Sequence, residues 1–211
     1  MTTQTNRQLW TTAIIFCLAG LVLQWWRMTS LTSSMDQGIL FQILRNGLHG
    51  HPFESTLSSQ LSTNVVHAGE LPQLGYHRLG QHFTPILVVW LPLISLFGKW
   101  FLPLLQILLI TGAGLLLYQL SKELLSKQLA LMLTFSFYGA NAVIGPMLGS
   151  FADFSQLPLA VFALLLGLQK RQSWLIAIAS IAIPLIREDT GVVLLGVGVW
   201  LAVRDRSRLW L

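Results

Sequence analysis

The sequence predicts an all-α fold, a polytopic transmembrane helical bundle, and three observations carry that prediction. Of 211 residues, 54% are hydrophobic and only 10% are charged, whereas soluble domains carry roughly 25% charged residues. The mean hydropathy is +0.65. The apolar residues also gather into about 6–7 segments divided by short charged groups, the pattern of helices that cross or enter a bilayer. The net charge of +5 does not indicate a nucleic-acid partner, because the 13 Lys and Arg residues stand singly or in small groups between apolar runs, without a basic stripe. Cys17 is the lone cysteine, so an internal disulfide and a CxxC metal or redox motif are both excluded.

The first element is a span over 9–26. It is about 18 residues long, enough to cross hydrocarbon, and it ends in Trp25, Trp26 and Arg27, as an interfacial anchor does. We read it as a retained span rather than a cleaved leader. A loop over 28–82 follows. Within it Ile39, Leu40, Ile43, Leu44 and Leu48 recur at helical spacing, predicting an amphipathic helix over 36–49 that lies in the headgroup plane.

The remaining spans occupy 83–203, as apolar runs at 83–97, 101–120, 129–148, 157–168, 174–186 and 191–203. Between and after them lie SKELLSK (121–127), QKRQ (169–172) and RDRSR (204–208). The positive-inside rule puts these groups and Arg7 in the cytoplasm. The loops 28–82, GSFADFSQ (149–156) and REDTG (187–191) then face outward, and Asp36, Asp153, Glu188 and Asp189 share one face. The stretch 83–120 must make one net crossing. Pro85 and Pro92 interrupt its first run, so 83–97 is expected to be a re-entrant or interfacial arm. The whole chain, 1–211, is one membrane domain of a multi-pass protein of the plasma (inner) membrane with a cytoplasmic N-terminus, and the lipid bilayer is its first partner.

Chemistry is expected where charge is scarce. Asp36 is either a general base or metal-binding carboxylate at the outer face, or the N-cap of the amphipathic helix; the two roles are compatible. Asp153 either joins Asp36 as a second acid or caps a helix beginning near Ser155. In REDTG, Arg187 either pairs with Glu188 or Asp189 while the other acid caps the last helix, or grips a phosphate with its planar fork. His82 suits a hydrogen bond to a phosphate or hydroxyl. His49, His51 and His77 lack the spacing of a zinc site. Gly112, Gly114, Gly191, Gly196 and Gly198 read as close helix contacts. The span interiors contain no charges, which argues against an ion-driven transporter.

Taken in order, MDQGIL, GQHFTPIL, LLLYQLSKELLS, FADFSQLPLA and IREDTGVVLLGVG resemble the bacterial membrane family called domain of unknown function twenty seventy-nine, from about residue 35 to the C-terminus. That family resembles the GT-C type of glycosyltransferases acting on polyprenyl-phosphate sugars. The resemblance implies a GT-C-like fold, with Asp36 as the match to the acid after the first span that serves as catalytic base or metal ligand. It implies a lipid-phosphate sugar as donor and a divalent cation, Mg or Mn, as cofactor. Arg187 and His82 are our candidates for binding the departing phosphate. The family pattern after FADF continues with a histidine, where this chain has Ser155. Family members are much longer, so the chain reads as an N-terminal or truncated member with a separately encoded C-terminal half as a partner. The competing reading is a non-catalytic membrane protein, a remnant or an assembly subunit.

Overall fold

The computed structural model describes residues 2–62 and 75–204. Their regular structure is helical apart from one isolated antiparallel bridge between Glu54 and His77. In chain order the helices are α1 (Thr2–Thr29), α2 (Met35–Gly47), α3 (Thr56–Ser62), α4 (Leu91–Phe97), α5 (Phe101–Ser121), α6 (Lys127–Gly139), α7 (Asn141–Leu148), α8 (Leu157–Lys170), α9 (Ser173–Ile186) and α10 (Gly191–Arg204). The fold is all-α. The RDRSR group lies beyond the described residues after Arg204, as does 63–74 of the long loop.

Two helical stretches are long and apolar enough to cross a membrane, Gln4–Thr29 and Pro85–Ser121. A third joins them if α6 and α7, bent by 43° at Ala140, form one span. Helices α8, α9 and α10 have 14 residues each. At 1.5 Å per residue each reaches about 21 Å, short of a hydrocarbon core of about 30 Å.

The apolar runs at 83–97 and 101–120 are joined, since 3-10 turns at Pro85–Trp90 and Gly98–Trp100 link α4 and α5 into the 37-residue stretch Pro85–Ser121. The prolines act at its start. Pro85 opens the 3-10 run and Pro92 sits in the first turn of α4, positions where a missing N–H costs little.

Helix α5 is the centre of the bundle, touching α1, α6 and α8. The helix expected over 36–49 forms as α2, and its apolar face packs against protein. Ile39, Leu40, Ile43 and Leu44 are buried in protein, in one cluster with Leu87, Ile94, Phe101, Leu102, Leu105 and Phe151. The stretch that includes α4 presents an apolar surface at the same level, and α2 closes onto it. A second cluster joins α8, α9 and α10 through Leu164, Leu168, Ile176, Ile183 and Leu201. A third joins the start of α1 to α5 and α6 through Leu9, Tyr118, Ala130 and Leu131. At this third end Lys170 pairs with Glu123 at 3.4 Å, so the basic groups 121–127 and 169–172 meet there.

Small residues set the helix spacing only in part of the bundle. A Cβ on Gly20 would stand 3.3 Å from Ile107, and one on Gly112 would stand 3.2 Å from Leu159. At Gly114 a Cβ would collide with the Tyr138 ring. Gly191, Gly196 and Gly198 face open space, so the expected close contacts hold for α5 and not for α10. Trp10, Ile14, Ile15, Leu18 and Val22 of α1 are exposed. An apolar face of that size suits lipid rather than water.

Candidate functional site

The end opposite the basic loops is tied together by amides and one arginine. Gln24 donates through Nε2 to the carbonyls of Met147 (2.5 Å) and Gly149 (3.0 Å). Arg27 donates to Gln24 Oε1 (3.2 Å), Ser150 Oγ (3.0 Å) and Gln37 Oε1 (2.7 Å). Trp25 and Trp26 point outward as an anchor should, but Arg27 turns inward and locks the end of α1 to the start of α2 and to the loop after α7.

Asp36 stands beside this lock, exposed, in the first turn of α2. It is not the N-cap. The helix begins at Met35, and the cap is Ser34, whose hydroxyl accepts from Gln37 N at 3.4 Å. An acid in the first turn still gains from the helix dipole. Among the described residues no hydrogen bond or ion pair holds the Asp36 carboxylate.

Asp153 has the opposite environment. It opens a 3-10 turn, Asp153–Gln156, ahead of α8, and its side chain makes no capping bond, so the cap expected near Ser155 is absent. It is 5% exposed. Its Oδ2 lies 3.9 Å from Nη2 of Arg78, and its Oδ1 has no hydrogen-bond partner. Arg78 is placed by the backbone. Arg78 N donates to Phe53 O at 2.9 Å and Ser55 N to Tyr76 O at 3.0 Å, the short ladder around the Glu54–His77 bridge. Burial pushes the Asp153 carboxyl above the usual aspartate range, and the positive charges of Arg78, Arg187 and His82 oppose that; Asp36 adds to the rise. Arg78, Arg187, His82 and Asp36 therefore each act on Asp153 through space.

The REDTG turn closes the cluster. Glu188 Oε1 lies 3.0 Å from His82 Nδ1, and its Oε2 accepts from Phe83 N at 2.8 Å. Burial works against ionisation of Glu188, but the hydrogen bond from His82, aided by those from the Glu188 and Phe83 backbones, prevails and holds it at about 2. Arg187 Nε lies 3.4 Å from Asp189 and 3.9 Å from Glu188, and its guanidinium sits 4.5 Å above the Phe154 ring. Arg187 thus pairs with both acids, and Glu188 ties down the 82–83 segment instead of capping α10. Thr190 anchors the turn by donating to the carbonyls of Arg187 and Ile183.

So Asp36, His82, Asp153, Arg187 and Glu188 meet at one end of the bundle, with Asp189 on its edge through Arg187. Arg78 is the member that sequence reasoning missed. No local sequence signal marks it, because its position is set by the Glu54–His77 bridge between segments distant in sequence. The other histidines lie apart: His51 and His77 flank Glu54 at 3.3 and 3.6 Å, and His49 bonds to Arg45 O. Among the described residues no group of three or more His, Cys, Asp or Glu is placed to hold a metal ion.

Apolar helices with lipid-suited outer faces and a polar cluster at one end define an α-helical integral membrane protein. The chain belongs to the DUF2079 family of predicted membrane proteins, which matches it over residues 27–211. No curated protein and no solved structure matches it.

Proposed function

We propose that the chain is a GT-C-like membrane glycosyltransferase component that moves a sugar from a polyprenyl-phosphate donor to an acceptor hydroxyl at the outer face of the plasma membrane. In this reading the N-terminus is cytoplasmic, α8, α9 and α10 complete a multi-pass bundle, and the Arg27, Asp153 and Glu188 loops face outward. Asp36 takes the acceptor proton. Arg187 and His82 meet the phosphate that leaves. The observation that carries it is the exposed, unpaired Asp36 beside a cluster in which Asp153, Arg187 and His82 interact.

The carboxylates Asp36, Asp153, Glu188 and Asp189 stand at this end with the cationic side chains of Arg27, Arg78 and Arg187 and with His82. A Mg or Mn ion arriving with the donor would take most of its ligands from phosphate oxygens, with Asp36 or Asp189 as the exposed carboxylate beside it.

Membranes containing the chain, supplied with a radiolabelled polyprenyl-phosphate sugar, should yield a glycosylated product, and Asp36→Asn should abolish it. Unchanged turnover in that variant reduces Asp36 to a helix-dipole role. A non-catalytic reading has one observation of its own, the mutual pairing of Arg187 with Asp189 and Glu188, and absence of transfer from every donor would favour it.

A further inference from the structure

The end of the bundle where the basic loops meet carries a groove of its own. It lies between α1 and α6, has a volume of about 400 Å³ and is lined by Gln4, Arg7, Gln8, Thr11, Thr12 and Phe135. The five residues from α1 recur at helical spacing, so amides, hydroxyls and one guanidinium share a face over the first turns of that helix. Gln4, Arg7, Gln8 and Thr11 are exposed, while Leu9 and Ala13 on the other side of α1 are buried. Leu9 clusters with Ala130 and Leu131, which fixes the polar face beside α6. Ile15 and Leu18 continue the same face, and both are exposed. The face is thus polar at its start and apolar beyond.

Depth along α1 decides what that face meets. Arg7 stands 18 residues before Trp25, about 27 Å at 1.5 Å per residue, and a hydrocarbon core is about 30 Å thick. Trp25 and Trp26 are exposed at one boundary, so Arg7 falls at the other, level with the headgroups.

Charge decides which headgroup. None of the lining residues is acidic. Glu123, in the neighbouring 121–127 loop, is held by Lys170 at 3.4 Å, and among the described residues no carboxylate pairs with Arg7. A free guanidinium fork matches phosphate oxygens. The amides and hydroxyls beside it both donate and accept, which suits glycerol hydroxyls and ester carbonyls. A choline or ethanolamine headgroup would find no carboxylate in the groove to balance its ammonium.

We propose that this groove is a seat for one anionic phospholipid with a glycerol headgroup. Its phosphate rests on Arg7, its headgroup hydroxyls and ester carbonyls lie among Gln4, Gln8 and Thr11, and its acyl chain passes Phe135 onto Ile15 and Leu18. The seat lies at the end opposite the acidic cluster and is independent of the glycosyl-transfer reading.

The test titrates the whole chain, purified in a neutral detergent, with an equimolar mixture of dioleoyl phosphatidylglycerol and dioleoyl phosphatidylcholine. Native mass spectrometry reads the bound lipid. The wild type should retain phosphatidylglycerol in preference to phosphatidylcholine by about tenfold, and Arg7→Gln should bring the two lipids near parity. Arg7 is exposed and unpaired, so that variant should keep its unfolding temperature. Arg171→Gln removes a guanidinium from the same end but outside the groove, and should leave the preference unchanged. Equal retention of both lipids by the wild type overturns the seat. So does an equal loss in Arg7→Gln and Arg171→Gln, which would mean diffuse attraction of anionic lipid to the basic loops. Displacement of phosphatidylglycerol by glycerol phosphate at the same concentration also overturns it, by reducing the groove to a site for a free anion.

Discussion

Glu188 shows how one side chain can hold two loops together. Its carboxylate takes bonds from His82 and from Phe83 N, and its pKa falls from 4.5 to about 2. A carboxylate whose folded value is depressed contributes stability that is fully present above 4.5 and is lost as pH falls toward about 2. Thermal unfolding followed over that range should therefore show a steeper loss for the wild type than for Glu188→Gln. The difference at neutral pH should be small, because the side chain is 45% exposed and solvent screens it. Equal slopes would mean that the His82 contact does not form. At this scale the sequence showed which residues were scarce, and the fold brings the scarce acids Asp36, Asp153, Glu188 and Asp189 to one end of the bundle. It did not show Arg78, because an arginine's importance here comes from a backbone bridge, Glu54 to His77, whose partners are distant in sequence.

Among the elements, α5 depends on small residues. Gly114 admits the Tyr138 ring, whose hydroxyl donates to Thr111 O at 2.6 Å. Gly114→Ala forces the ring away and breaks that bond. Overpacking of this kind costs about 1–3 kcal/mol, so detergent-solubilised variant protein should unfold at a lower temperature, while Gly196→Ala, with nothing near its Cβ, should not. Existence and period of the elements were legible: apolar runs became helices, and α2 appeared within two residues of its expected bounds. What each face would meet was not. Helical spacing in 36–49 reports that one side is apolar, and protein and lipid satisfy that side equally well. Likewise, the break at 98–100 read as a separation between two runs, whereas a 3-10 turn carries the chain through it into α5.

For the whole molecule, the arrangement of ends matters most. Contacts of Arg27 with Ser150, Arg78 with Asp153 and His82 with Glu188 gather the first long loop, the loop after α7 and the turn before α10. Lys170 and Glu123 join the opposite loops. Charge distribution along the sequence had already sorted these loops into the same two sets, since positive residues concentrate at one end. The number of full crossings was less legible, because 14-residue helices read as apolar runs without declaring their depth. The central claim is that Asp36, Asp153 and Glu188 share one site at the outer face. Single cysteines at 36 and 188, introduced in a Cys17→Ser background, can be probed in intact cells with a membrane-impermeant thiol reagent. Both should label from outside; labelling of position 188 only after the cytoplasmic face is opened, with position 36 accessible from outside, would contradict the shared site.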